Sequence, residues 1–245
     1  MTTDDGAPGP PLVIGHGGAA ADAPEHTIAA LELALADGAD GLALGVHLTR
    51  DGHPVVMRDF SIDRTTDGRG AVREHTVREL KRLDAGGWRG RQFRGQRVQT
   101  LQEVLERFRE RTRFWLELRA GSDVYPDIEE RVVGMVEIYD VVDRALIHSA
   151  DRAALARCRG FNRDLRLGAA GDSGLPEGLP EEPVQAVCLP AEALTDATAV
   201  AFRGAGLECY AWTVNEPVEI DRLVRWGVDG IVTERPGALR RRLAR

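Results

Sequence analysis

The chain has 245 residues, 43% hydrophobic and 29% charged, with a formal net charge of −7. This is the composition of a soluble globular domain at the usual length of a single α/β barrel. No apolar run approaches the roughly 20 residues that cross a bilayer, and no basic stripe interleaves with aromatics, so membrane insertion and nucleic acid are both excluded as expectations.

Met1-Thr2-Thr3-Asp4-Asp5-Gly6 is acidic and polar, and residues 1–10 read as a flexible tail. No basic-then-apolar leader is visible, which points to the cytoplasm. Leu12-Val13-Ile14 is a strand that ends near His16. Thr27 can cap a helix whose Ile28, Leu31 and Leu35 share one face, with Gly38 as its stop. Leu42 to Leu48 is the next strand. A tight Asp51-Gly52 turn then suits an antiparallel return through Pro54 to Met57, because a parallel crossover needs a dozen or more residues.

The segment 60–111 is too long for an ordinary strand-to-helix connection and reads as an insertion over the mouth of the fold. Thr76 with Glu79, and Thr100 with Glu103, have the spacing of capping boxes. They open helices over roughly Val77 to Leu83 and Leu101 to Arg111, and Asp84 to Val98 is expected as a loop over the site. Further strands fall at Thr112 to Leu118, Ala145 to Ile147, Leu165 to Leu167, Ala186 to Leu189, Cys209 to Val214 and Gly230 to Thr233. Gly174 to Pro183 reads as a loop, and Asn215 as the cap of a helix that Gly227 stops. The basic end, Arg240 to Arg245, reads as a solvated last turn. Cys158, Cys188 and Cys209 show no CxxC spacing and suit neither a disulfide frame nor zinc. Eight strands separated mostly by helices predict one (β/α)8 TIM barrel over residues 1–245.

Several stretches carry a family pattern. Residues 38–59 follow GAD-x-IE-x-DV-x-x-T-x-DG-x-PVV-x-HD, with Ala43, Gly45 and Arg58 at its glutamate, aspartate and histidine. His16-Gly17-Gly18 matches HRG, and Pro24-Glu25-His26-Thr27 matches PENT. Arg64-Thr65-Thr66-Asp67-Gly68-Arg69-Gly70 matches RTT-x-G-x-G, Thr100 to Leu105 matches TLEEVL, and Leu116-Glu117-Leu118-Arg119 matches IEIK. Trp212-Thr213-Val214-Asn215, then residues 227–236, match WTVN and GVDGIITDRP. In this order the chain resembles the glycerophosphodiester phosphodiesterase family, whose members are barrels of the PLC-like phosphodiesterase type.

The resemblance implies cleavage of a glycerophosphodiester to an alcohol and glycerol 3-phosphate, with a divalent cation and two histidines. It implies cation ligands at Ala43, Gly45 and Glu117, of which Glu117 alone is a carboxylate. A hard cation such as Mg2+ or Ca2+ wants about six oxygen ligands, so no cofactor is expected unless other carboxylates take over. His16 and Glu117 are the candidate catalytic pair. Arg58 and Arg119 are candidates for an anionic group, and Glu25, Trp212, His47 and His148 for further substrate contacts. His47 shares the inward face of its strand with Gly45, and zinc on His16, His47 and His148 would need all three rings to converge. The leading expectation is a barrel repurposed for metal-independent acid/base chemistry on another small molecule. A non-catalytic binding or regulatory protein stands beside it, as does a residual phosphodiesterase with ligands rearranged to Glu25, Glu117 and Asp59.

Overall fold

The computed structural model describes residues 9–171 and 184–244. The loop expected at Gly174 to Pro183 lies outside them, as does most of the tail expected at residues 1–10.

The barrel strands are β1 (Leu12–His16), β2 (Gly41–Leu48), β5 (Arg113–Leu118), β6 (Ala145–Ser149), β7 (Arg166–Ala170), β8 (Ala186–Pro190), β9 (Glu208–Trp212) and β10 (Gly230–Thr233). All pair in parallel with their neighbours, and β1 pairs with both β2 and β10, which closes the ring. The expected eight-stranded barrel is therefore present. Alternate residues of each strand point to opposite sides. Val13, Val187, Ala211 and Ile231 face outward against the helices, whereas Ile14, Ala43, Trp115, Cys188 and Tyr210 fill the interior. Gly41 is needed there: a Cβ would stand 2.1 Å from Cζ3 of Trp115.

Two short strands, β3 (Pro54–Val56) and β4 (Gln99–Thr100), extend β2 as an antiparallel flap. The return strand was expected, but the turn is longer than a two-residue Asp-Gly turn. Leu48 pairs with Pro54, and the loop between them is held by Thr49 N donating to His53 O at 3.1 Å. β4 is too short to carry a sequence period.

The helices are α1 (Ile28–Ala36), α2 (Val77–Leu80), α3 (Leu101–Phe108), α4 (Ile128–Ile138), α5 (Arg152–Phe161), α6 (Asp196–Gly204), α7 (Pro217–Trp226) and α8 (Pro236–Leu243). Thr27 caps α1, and both expected capping boxes form, with Glu79 accepting from Thr76 N at 2.7 Å and Glu103 from Thr100 N at 2.9 Å. α2 and α3 stop short of the expected ends at Leu83 and Arg111. Asn215 does not cap α7, which begins after Glu216. Its side chain instead accepts from Thr233 Oγ1 and Glu234 N and ties two strand ends together. Arg240 and Arg242 are not simply solvated: Arg240 bonds Gly38 O and Asp40, and Arg242 bonds Asp221.

Candidate active site

The mouth at the C-terminal ends of the strands opens into a cavity of about 280 Å³. It exists because inward positions are small: Ala43 on β2, Ala170 on β7 and Cys188 on β8 line it, with Gly45 at its edge. Trp115 and Tyr210, packed edge to face at 5.2 Å, line it as well.

His16 ends β1 in the wall, with its Nδ1 2.9 Å from Thr213 Oγ1. Burial, with the charges of His26 and Arg58 adding to it, lowers its pKa to about 4, so the ring is neutral at pH 7. Glu117 lies in register with Gly45 on one side and His148 on the other. Arg119 Nη1 donates to the Glu117 carboxylate. Burial pushes the Glu117 pKa up, but His148 and Arg119 outweigh it and the net shift is downward. The Arg119 guanidinium also lies 5.8 Å from the centre of the Phe60 ring. Arg58, on the loop just after β3, is exposed at the cavity. Among the described residues its guanidinium has no ion pair and no hydrogen bond.

His16, Arg58, Glu117, Arg119, His148 and Trp212 are thus brought together around one cavity. Burial keeps His148 neutral by lowering its pKa. Two expected substrate contacts are elsewhere. Glu25 is clasped by both terminal nitrogens of Arg64 at 2.7 and 2.8 Å, and Arg64 Nε holds Asp59 at 2.6 Å. His47 is fully buried, with Nδ1 2.7 Å from Tyr125 Oη and its ring against Phe60. It does face inward, but the end of β2 outruns the ring and pairs with β3, so Phe60 and Tyr125 cover it. The segment Asp84 to Val98 also misses the cavity. It folds on Asp84, which accepts from Gly86, Gly87 and Gly95 N, and Val98 packs under the flap.

Trp115 could have been found from sequence, because it lies two residues before Glu117 on the same strand face. His26 carried no such signal. Its Nε2 accepts from Gly45 N at 3.3 Å, which pins the segment before α1 to β2.

A divalent cation fits poorly here. Ala43 and Gly45 have no ligating atom, and Glu117 is engaged by Arg119. Glu25 and Asp59, the carboxylates of the rearranged set, are held by Arg64. Among the described residues no three His, Cys, Asp or Glu side chains converge on a metal position, the three-histidine zinc arrangement included.

The fold and site define a (β/α)8 barrel with a neutral histidine and two arginines at its mouth. A profile of the Glycerophosphoryl diester phosphodiesterase family matches residues 16–238, and the chain belongs to that family, whose activity is phosphoric diester hydrolysis. It is 35% identical to a glycerophosphodiester phosphodiesterase of Caldanaerobacter subterraneus subsp. tengcongensis, covering 93% of this chain and 96% of that one. It is 31% identical to a glycerophosphodiester phosphodiesterase of Bacillus subtilis, covering 92% and 84%. An Oleispira antarctica phosphodiesterase, solved in complex with its product sn-glycerol-3-phosphate, superposes with a TM-score of 0.89 at 25% identity, covering 96% of this chain and 98% of that one. The Agrobacterium tumefaciens glycerophosphodiester phosphodiesterase gives 0.80 at 27% identity, covering 94% and 98%.

These relatives correct the leading functional expectation. A barrel turned to unrelated chemistry, or emptied of chemistry, is not what resemblance across more than nine-tenths of the chain to named phosphodiesterases supports. Among the described residues no helix is long and apolar enough to cross a membrane.

Proposed function

We propose that this chain hydrolyses glycerophosphodiesters to an alcohol and glycerol 3-phosphate at the barrel mouth. The observation that carries the reading is the unpaired Arg58 guanidinium in the same cavity as the neutral His16. The named activity of the relatives and the product held by the Oleispira antarctica enzyme support it.

The diester is an anion, and Arg58 and Arg119 offer it guanidinium donors in fork geometry. In the tautomer that donates Nδ1–H to Thr213 Oγ1, His16 has a free basic Nε2. That nitrogen takes a proton from the attacking water and returns it to the departing alkoxide. Glu117 does not meet the phosphate; it fixes Arg119. Trp212 walls the ester group beside His16. His148, uncharged, adds no cation to the floor.

We also infer that residues 1–245 form a single catalytic domain, which the family match over 16–238 supports. A cytoplasmic location follows from the same reading, supported by Cys158, Cys188 and Cys209 as buried free thiols. Release of glycerol 3-phosphate from glycerophosphocholine, glycerophosphoethanolamine or glycerophosphoglycerol tests the function. The expected result is release that falls with Arg58→Met. No release from any of them, with or without Mg2+, Ca2+, Mn2+ or Zn2+, would overturn it.

A further inference from the structure

The cavity carries the charge of an anion site. Among its described lining residues Glu117 is the single carboxylate, against the two guanidinium groups of Arg58 and Arg119. Arg119 already engages that carboxylate. The partners nearest Glu117 across the sheet offer no side-chain oxygen, since Gly45 lies beside it and Ala43 beside Trp115 one step deeper. Nor is the space over Gly45 vacant: a Cβ there would stand 2.4 Å from the Met57 carbonyl oxygen, because the flap has closed onto that position. Glu25 and Asp59 are clasped together by Arg64. A divalent cation wants several oxygens and at least partial charge balance. Here it would meet one engaged carboxylate and two positive side chains.

We propose, resting on the hydrolase reading above, that the diester in this cavity is held and activated by the Arg58 and Arg119 guanidinium groups without a divalent cation. In this step the attacking oxygen bonds to phosphorus and the ester bond to the leaving alcohol breaks. The proton lost by the nucleophile passes through His16 to the alkoxide. The two guanidinium groups hold the charge on the non-bridging oxygens, as a Lewis acid otherwise would. Overall one diester and one water give one alcohol and one phosphate monoester, with no electron transfer. Arg58 suits the part because its guanidinium has no ion pair or hydrogen bond among the described residues.

The test uses full-length protein stripped with EDTA. Calorimetric titration with sn-glycerol 3-phosphate and with inorganic phosphate, in EDTA, is expected to show binding that weakens at least 10-fold in Arg58→Met. Arg119→Lys, which keeps a charge for Glu117 if Arg119→Met fails to fold, should weaken it less. Titration with Mg2+, Ca2+ and Mn2+ should show no micromolar binding, and turnover should be unchanged by EDTA. Micromolar cation binding that Glu117→Gln abolishes would overturn the proposal. So would turnover or anion binding that disappears in EDTA and returns with a cation, or failure to bind either anion. Cation-dependent turnover would leave the hydrolase reading standing. Cation-free anion binding without turnover under any condition would sink that reading and, with it, the activation step proposed here.

Discussion

Gly45 and Met57 approach more closely than any side chain at position 45 allows: a Cβ on Gly45 would lie 2.4 Å from the Met57 carbonyl oxygen. Met57 N in turn donates to Gly45 O at 2.9 Å, so the flap is locked onto β2 at this point. Gly45→Asp therefore cannot simply add a carboxylate to the cavity. It must displace the flap, at a cost on the order of 1–3 kcal/mol, as for other overpacked sites. Urea denaturation should show that loss, and calorimetry should show no gain of tight Mg2+ binding. A variant as stable as the parent would show that the flap yields.

His16→Gln keeps a polar side chain next to Thr213 but removes the basic ring. Loss of a general acid–base group costs roughly 10²- to 10⁴-fold. The expected result is a kcat reduced by that range with KM little changed, since the arginines still bind the anion. Equal kcat in parent and variant would remove His16 from the proton route.

Glu117→Gln tests a positioning role. The amide still reaches Arg119 but no longer counters its charge. Steady-state kinetics should show a lower kcat, by up to about 100-fold if Arg119 shifts by about 1 Å. Calorimetry should show product affinity unchanged or tighter, because one negative charge has left an anion site. Weaker product binding would mean that Glu117 touches the ligand itself.

His16, His26 and His47 have pKa values lowered from 6.5 to about 4, mainly by burial. The unfolded chain takes up these protons near its ordinary values, and the folded chain only near 4. Between those limits the unfolded state binds more protons, so stability rises with pH. The contribution is fully present above about 6.5 and is lost as pH falls toward 4, by up to about 1.4 kcal/mol per unit for each histidine. Urea titrations from neutral pH downward should show the decline, and His47→Gln should make it shallower. Stability that is flat across this window would contradict the neutral, buried histidines.

The barrel was legible because its strands are short apolar runs buried on both faces, separated by helices whose caps have local geometry. Thr76 with Glu79 and Thr100 with Glu103 form the contacts that their spacing foretells. The mouth residues His16, Glu117, Arg119 and Trp212 were legible through the family motifs they match, and His148 through its place at a strand end; all five line the cavity. What failed depended on contacts remote in sequence. Glu25 is taken by Arg64, 39 residues away, and His47 by Tyr125, 78 residues away. Asn215 caps nothing because Thr233 and Glu234 reach it first. The function was misjudged for a related reason. Missing carboxylates at Ala43 and Gly45 say what cannot ligate a cation, but not what the unpaired Arg58 beside Arg119 can do instead.

A crystal of this protein soaked in sn-glycerol 3-phosphate gives the most direct test of a phosphodiester site at the barrel mouth. The account predicts phosphate density bridging Arg58 and Arg119, with an ester oxygen within hydrogen-bond distance of His16 Nε2. Density for the ligand only outside this cavity, or a cavity filled by water alone at saturating ligand, would contradict it.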